Sequence, residues 1–148
     1  MKRLTHVDAR GRAKMVDVSA KPVQLREAVA CGSIQLAPAT LRLIKASRIA
    51  KGDVLNVARL AGIQAAKRTG ELIPLCHPLG LSHADVELAL KRGRIEITGT
   101  AKIAAQTGVE MEALTAVAVA ALTFYDMCKA VDKQMVIGAI RLVSKTKK

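Results

Sequence analysis

Apolar and polar positions change period along the chain, and the changes mark its elements. From His83 to Leu90 they alternate, with Val86, Leu88 and Leu90 on one face, which predicts a strand. Lys91-Arg92-Gly93 supplies a turn, and Arg94–Thr100 alternates again through Ile95 and Ile97, so the two segments read as a hairpin. Elsewhere the period is helical. Asp53 has the character of an N-cap, Val54, Val57, Ala58, Ala61, Ala65 and Ala66 give a narrow face of small residues, and Gly70 suits a C-cap. A long helix is predicted over Val109–Val131 and a last strand over Met135–Val143. Upstream, Pro22 suits the first turn of a short helix that stops before Gly32, and Ser33-Ile34-Gln35-Leu36 reads as a strand. Pro38 opens a further helix with Leu41, Leu43 and Ile44 as apolar positions and Gly52 beyond its end. Ile73–Leu81 carries Pro74 and Pro78 and is expected to be a rigid loop.

From residue 33 the order is strand, helical stretch, strand, strand, helix, strand. That is the ferredoxin-like split βαβ pattern, an α+β fold whose antiparallel sheet carries its helices on one face. The length suits one domain, 1–148, with residues 1–20 as an N-terminal arm and 144–148 as a basic, flexible tail.

Composition sharpens this picture. Half the chain is hydrophobic, but Phe124 and Tyr125 are its only aromatics. The core must therefore come from small side chains, which favours helices that approach closely and a chain that buries more surface by oligomerising. The formal charge of +12 attracts polyanions, whether nucleic acid, lipid headgroups or a phosphorylated small molecule. The longest apolar run, near Leu114–Leu122, falls short of the ~20 residues of a membrane span, so none is expected. Polar residues follow Met1-Lys2-Arg3, so no signal peptide is expected. Cys31, Cys76 and Cys128 are odd in number and widely spaced, which fits a reducing cytoplasm rather than a disulfide framework.

Four groups of residues can carry chemistry. Thr107 and Glu110 have capping-box spacing, an ordinary structural role for Glu110 that leaves Glu112 unexplained. Asp126 and Lys129 share a helical face, either as a surface ion pair or as an acid/base pair in which each tunes the other. In Leu75-Cys76-His77-Pro78 two flanking prolines present an imidazole that titrates near neutrality, or build a turn whose His bonds to backbone. Lys51, Lys67, Arg68, Lys21 and Arg26 are either solvated charge or an anion-holding set. There is no GxxxxGK[ST] loop, and Cys76 next to His77 lacks metal-site spacing. Glu112 and Asp126 are about 14 residues apart, roughly 21 Å along an unbroken helix. One small substrate cannot touch both in one chain, so a site that uses both needs a second subunit.

Several of these stretches together resemble the MoaC family: Met15-Val16-Asp17-Val18-Ser19, Lys51-Gly52-Asp53-Val54, the Ala61–Arg68 segment, Leu72–Leu79, Thr107–Thr115 and Tyr125–Val131. The likeness runs from about Leu4 to Val143. It implies conversion of 3′,8-cyclo-7,8-dihydro-GTP to cyclic pyranopterin monophosphate and pyrophosphate in molybdenum cofactor biosynthesis. It also implies a homohexamer built as a trimer of dimers, with sites at the dimer interface and no metal or organic cofactor. Carried over by motif, Asp126 is the catalytic position, with Lys51 and Lys129 as its partners. Leu75, Cys76, His77, Met111 and Glu112 contact substrate, and Glu110, Lys67, Arg68 and Arg26 support the site. The rival reading is a non-enzymatic polyanion or nucleic-acid-binding module. It draws on the charge, but two aromatics make no stacking platform and no nucleic-acid motif is present, so no nucleic-acid or membrane partner is expected.

Overall fold

Alternation between small buried residues and exposed ones builds the central strand. In the computed structural model, which describes residues 5–148, β1 (Gln24–Gln35) buries Ala28, Ala30, Gly32 and Ile34 and turns the residues between them to the other face. The short helix expected from Pro22 is therefore a strand. Its inward residues are small, so helical composition masked a period of two, and tertiary packing decided the outcome. No room exists for a side chain at Gly32, where a Cβ would lie 2.8 Å from Val117 Cγ1.

After β1 come α1 (Pro38–Lys45), α2 (Val54–Lys67), a single turn α3 (Thr69–Leu72), β2 (His83–Lys91), β3 (Arg94–Ala105), α4 (Glu110–Cys128) and β4 (Val136–Lys147). The sheet order is β2-β3-β1-β4, with every pairing antiparallel. This is the ferredoxin-like arrangement expected from the sequence. Asp53 caps α2 by accepting a bond from the Asn56 amide at 3.1 Å. The hairpin turns through Arg92-Gly93, with Gly93 at φ 72°, a left-handed conformation that favours glycine. The helix ends differ from expectation. Helix α2 stops at Lys67, and Gly70 lies inside α3 against Pro78.

Helices α2 and α4 lie together on one face of the sheet. Their seam is made of Ala58, Gly62 and Ala66 against Ala113, Ala116 and Ala120, with Phe124 the largest buried side chain. A Cβ on Gly62 would stand 2.7 Å from the Ala116 carbonyl, so the backbones approach as closely as a glycine permits. Val57, expected on the inward face of α2, is exposed, and Gly62 takes the buried position instead. Helix α4 is long and apolar enough to cross a bilayer by length and composition alone, but half of it is packed inside the protein as the core helix.

The basic C-terminal end is not a loose tail. Ser144–Lys147 form the end of β4, paired with Arg26–Val29 of β1, and Lys148 exchanges two backbone bonds of 2.9 Å with Leu25. Backbone pairing along an already formed strand outweighs the local excess of lysine. The arm from Thr5 to Ala20 is irregular apart from a bridge between Val7 and Ala13. Residues 1–4, including Met1-Lys2-Arg3, lie outside the described residues.

Candidate active site

Two groups of polar side chains lie at the two ends of α4. At its N-terminal end, the loop Ile73–Leu81 and the N-terminal arm enclose a cleft of about 370 Å³. Leu75, Cys76, His77, Glu110, Met111 and Glu112 all line it, as do Lys21, His6 and Val16 from the arm and its continuation. Ile73–Cys76 form a turn closed by the Cys76 amide on the Ile73 carbonyl at 3.1 Å, and His77 Nε2 lies 2.7 Å from the Val16 carbonyl, tying the arm across the cleft. Sequence reasoning singled out six of these lining residues. It left Lys21 as either solvated charge or part of an anion-holding set and missed His6, because an unpatterned arm gives no local signal of what it covers.

Glu112 is only 3% exposed. Burial raises its pKa, the nearby Glu110 carboxylate raises it further, and His77 partly opposes this. It is a carboxyl biased toward its protonated form. Cys76 is pushed the same way by burial and by Glu112, so it is a poor thiolate. Cys128 is pushed up to about 11 by burial, and behaves as a core residue.

The capping box expected of Thr107 and Glu110 does not form. Val109 occupies the N-cap position without a side-chain bond, and the Glu110 carboxylate accepts from Lys145 Nζ at 2.9 Å. Burial works against ionisation of Glu110, but the bond from Lys145, the Glu110 backbone amide and the charges of Lys145 and Arg26 together outweigh it and hold the group below its usual range. Arg26 stands behind this pair and donates to the carbonyls of Ala105 at 3.2 Å and Gln106 at 3.3 Å. Arg26, Glu110, Lys145 and Lys147 share a smaller cleft of about 240 Å³. Lys67 and Arg68, at the end of α2, border a depression that also touches Leu79 and Glu112.

At the other end of α4, Asp126 is held from two directions. Lys129 Nζ lies 2.6 Å from Oδ1, and Lys51 Nζ lies 3.0 Å from both Oδ2 and the Asp126 carbonyl. Hydrogen bonds from Lys129 and then Lys51 lower the Asp126 pKa, and Asp126 in turn raises that of Lys129. All three side chains are about half exposed. The proposed catalytic set is thus brought together, but 14 residues of helix, roughly 21 Å, separate it from Glu112. Between the two ends the outer face of α4 carries Leu114, Ala118 and Leu122, the last 60% exposed. Among the described residues no three His, Cys, Asp or Glu side chains gather to hold a metal ion.

The fold defines an α+β protein of ferredoxin-like topology, with a charged triad and a buried carboxyl at the two ends of one helix. The chain belongs to the MoaC family, whose match covers residues 15–148. A protein from Parvibaculum lavamentivorans called cyclic pyranopterin monophosphate synthase is 58% identical over 147 residues, covering 98% of this chain and 92% of that one. Proteins of the same name from Pelotomaculum thermopropionicum and Chloroflexus aggregans are 57% and 60% identical. They cover 99% and 97% of this chain and 87% and 88% of their own lengths.

Proposed function

We propose that this protein is a cyclic pyranopterin monophosphate synthase. It converts 3′,8-cyclo-7,8-dihydro-GTP to cyclic pyranopterin monophosphate and pyrophosphate in molybdenum cofactor biosynthesis, in the cytoplasm. The single observation that carries the residue-level reading is the Asp126 carboxylate clamped between two ammonium groups. Such a group can take a proton while its neighbours supply one, which is what a ring-opening rearrangement needs. Formation of the cyclic phosphate is an attack by substrate hydroxyl on the α-phosphorus as the bond to the departing pyrophosphate oxygen breaks. Asp126 accepts the hydroxyl proton, and Lys51 and Lys129 offset charge on the phosphoryl oxygens. His77, Glu112, Leu75, Cys76 and Met111 bind the ring system in the cleft, and Arg26, Lys67 and Arg68 with Glu110 support the phosphate end.

The site is shared between two copies. Antiparallel pairing of the outer faces of α4 across a two-fold axis brings Glu112 of one copy beside Asp126 of the other. The exposed apolar residues between those positions support this pairing, and those on β4 support growth of the dimers into a hexamer of three. No cofactor is required. The test is a turnover assay that follows pyrophosphate and the cyclic product. Release in equal amounts supports the synthase, and a folded oligomer that releases neither would leave only a polyanion-binding module.

A further inference from the structure

One buried ionised group takes no part in the chemistry proposed above. Asp132 lies between α4 and β4 and is 6% exposed. Its Oδ2 accepts from the Ala37 amide and from Thr40 Oγ1, each at 2.9 Å, and its Oδ1 accepts from the Gln134 amide at 3.0 Å. These three donors are uncharged. Two belong to the start of α1, more than 90 residues away in sequence. Helix α1 has Ala37 at its N-cap, which offers no side chain to the free amides of the first turn. Asp132 bonds not these amides but the Ala37 amide and the Thr40 hydroxyl, and so ties the start of α1 to another part of the chain. Burial alone would push its pKa up, yet the three donors outweigh burial and keep it low.

The two segments joined here carry the two halves of the charged triad. Asp126 and Lys129 lie just before Asp132, whose own amide is bonded to the Cys128 carbonyl at 3.1 Å. Lys51 follows α1 through a short loop that contains Ser47 at φ 53° and closes on Gly52 at φ 93°. Helix α1 packs less extensively on the rest of the fold than α2 or α4 does, so this junction is a principal tie on the position of Lys51.

We infer that Asp132 is a positioning residue. It docks α1 onto the end of α4 through Ala37 and Thr40, and so sets the Lys51 ammonium against Asp126. The inference rests on the reading of Lys51, Asp126 and Lys129 as the reacting set. Thr40 is the gentler handle, since Asp132→Ala leaves two buried donors unpaired at α1 and risks unfolding the chain. Thr40→Val keeps the volume and removes one donor, and Thr40→Ser keeps the donor.

The experiment measures kcat and KM for wild type, Thr40→Val, Thr40→Ser and Asp132→Ala. In parallel, an amine-reactive acetylating reagent is applied to the full-length proteins without substrate, and acetylation of Lys51 is read against that of Lys67 by mass spectrometry. Displacement of a reacting group by about 1 Å costs on the order of 100-fold. Thr40→Val is expected to lower kcat roughly 10- to 100-fold at unchanged KM, with Thr40→Ser close to wild type. Acetylation of Lys51 should rise severalfold relative to Lys67 in Thr40→Val and Asp132→Ala. Thr40→Val with wild-type kcat and wild-type Lys51 acetylation overturns the inference, as does a Thr40→Ser variant as impaired as Thr40→Val. If wild type itself gives no turnover, the functional reading fails, and the acetylation ratio alone decides whether Asp132 positions Lys51.

Discussion

Lys51 Nζ and Asp126 Oδ2 meet at 3.0 Å although the two residues stand 75 positions apart in the chain. Lys129, from the same helix as Asp126, closes on the other carboxylate oxygen at 2.6 Å. One negative charge between two positive ones favours the ionised form of Asp126 and the protonated form of Lys129.

Asp126→Asn should therefore lower kcat by about 10²- to 10⁴-fold, the usual contribution of an acid/base group, with the fold intact by circular dichroism. The pH profile carries a second expectation. Asp126 raises the Lys129 pKa above 10.5, so activity that needs the Lys129 ammonium persists to high pH. Without the carboxylate that support is gone, and the alkaline limb of the residual kcat should move to lower pH. An unmoved limb would show that the ammonium of Lys129 is not the group being titrated.

Mixing two inactive variants tests the shared site. Asp126→Asn and His77→Ala damage opposite ends of α4. Random reassociation after mild unfolding puts half the chains in mixed dimers, each with one undamaged site. About a quarter of wild-type activity should return. Sites built within single chains would return none.

The buried Glu112 makes a statement about stability. Its folded pKa is raised by burial, so the native state holds its proton to higher pH than the unfolded chain does. Stability from this group is greatest below the unfolded value and falls as pH rises through the folded one. Glu112→Gln removes the cost of burying a charge. Its melting temperature should exceed that of wild type at pH 8, and the gap should shrink as pH falls toward 4. An equal gap at both ends would assign the effect to packing instead of ionisation.

The seam between the helices is equally exposed to test. Gly62→Ala places a methyl group against the Ala116 carbonyl and Ala120. Overpacking of this kind costs about 1–3 kcal/mol, measurable by urea unfolding. Gly80→Ala, where a Cβ meets nothing within 4 Å, is the matched control and should be close to neutral.

The sequence and the structure agree where one residue type carries one message. Asp53, Gly93 and the alternation of Val86, Leu88 and Leu90 each fixed an element locally, and the topology followed from their order. The errors share a cause in tertiary contact. Ala28 and Ala30 suit a helix by composition, and only tertiary packing, with Val117 close over the neighbouring Gly32, decides for a strand. Lys145 and Lys147 look like a solvated end until β1 offers them a ladder and Glu110 a counter-charge. The site divides in the same way. Motif likeness found the cleft residues and the charged triad, but nothing announced His6 as a wall of the cleft, and the Met15–Ser19 motif came with no role for Val16. Asp132 gave no signal at all, because its partners lie at the far end of the sequence.

The contact between the arm and His77 has a further consequence. A backbone carbonyl can only accept a hydrogen bond, so the Nε2 that faces Val16 at 2.7 Å must carry a hydrogen. The neutral ring is then the Nε2–H tautomer, and Nδ1 is its one free lone pair. Any proton that His77 takes up during a reaction enters at Nδ1. The choice between the two nitrogens is thus made by a main-chain oxygen in a stretch that has no regular structure of its own.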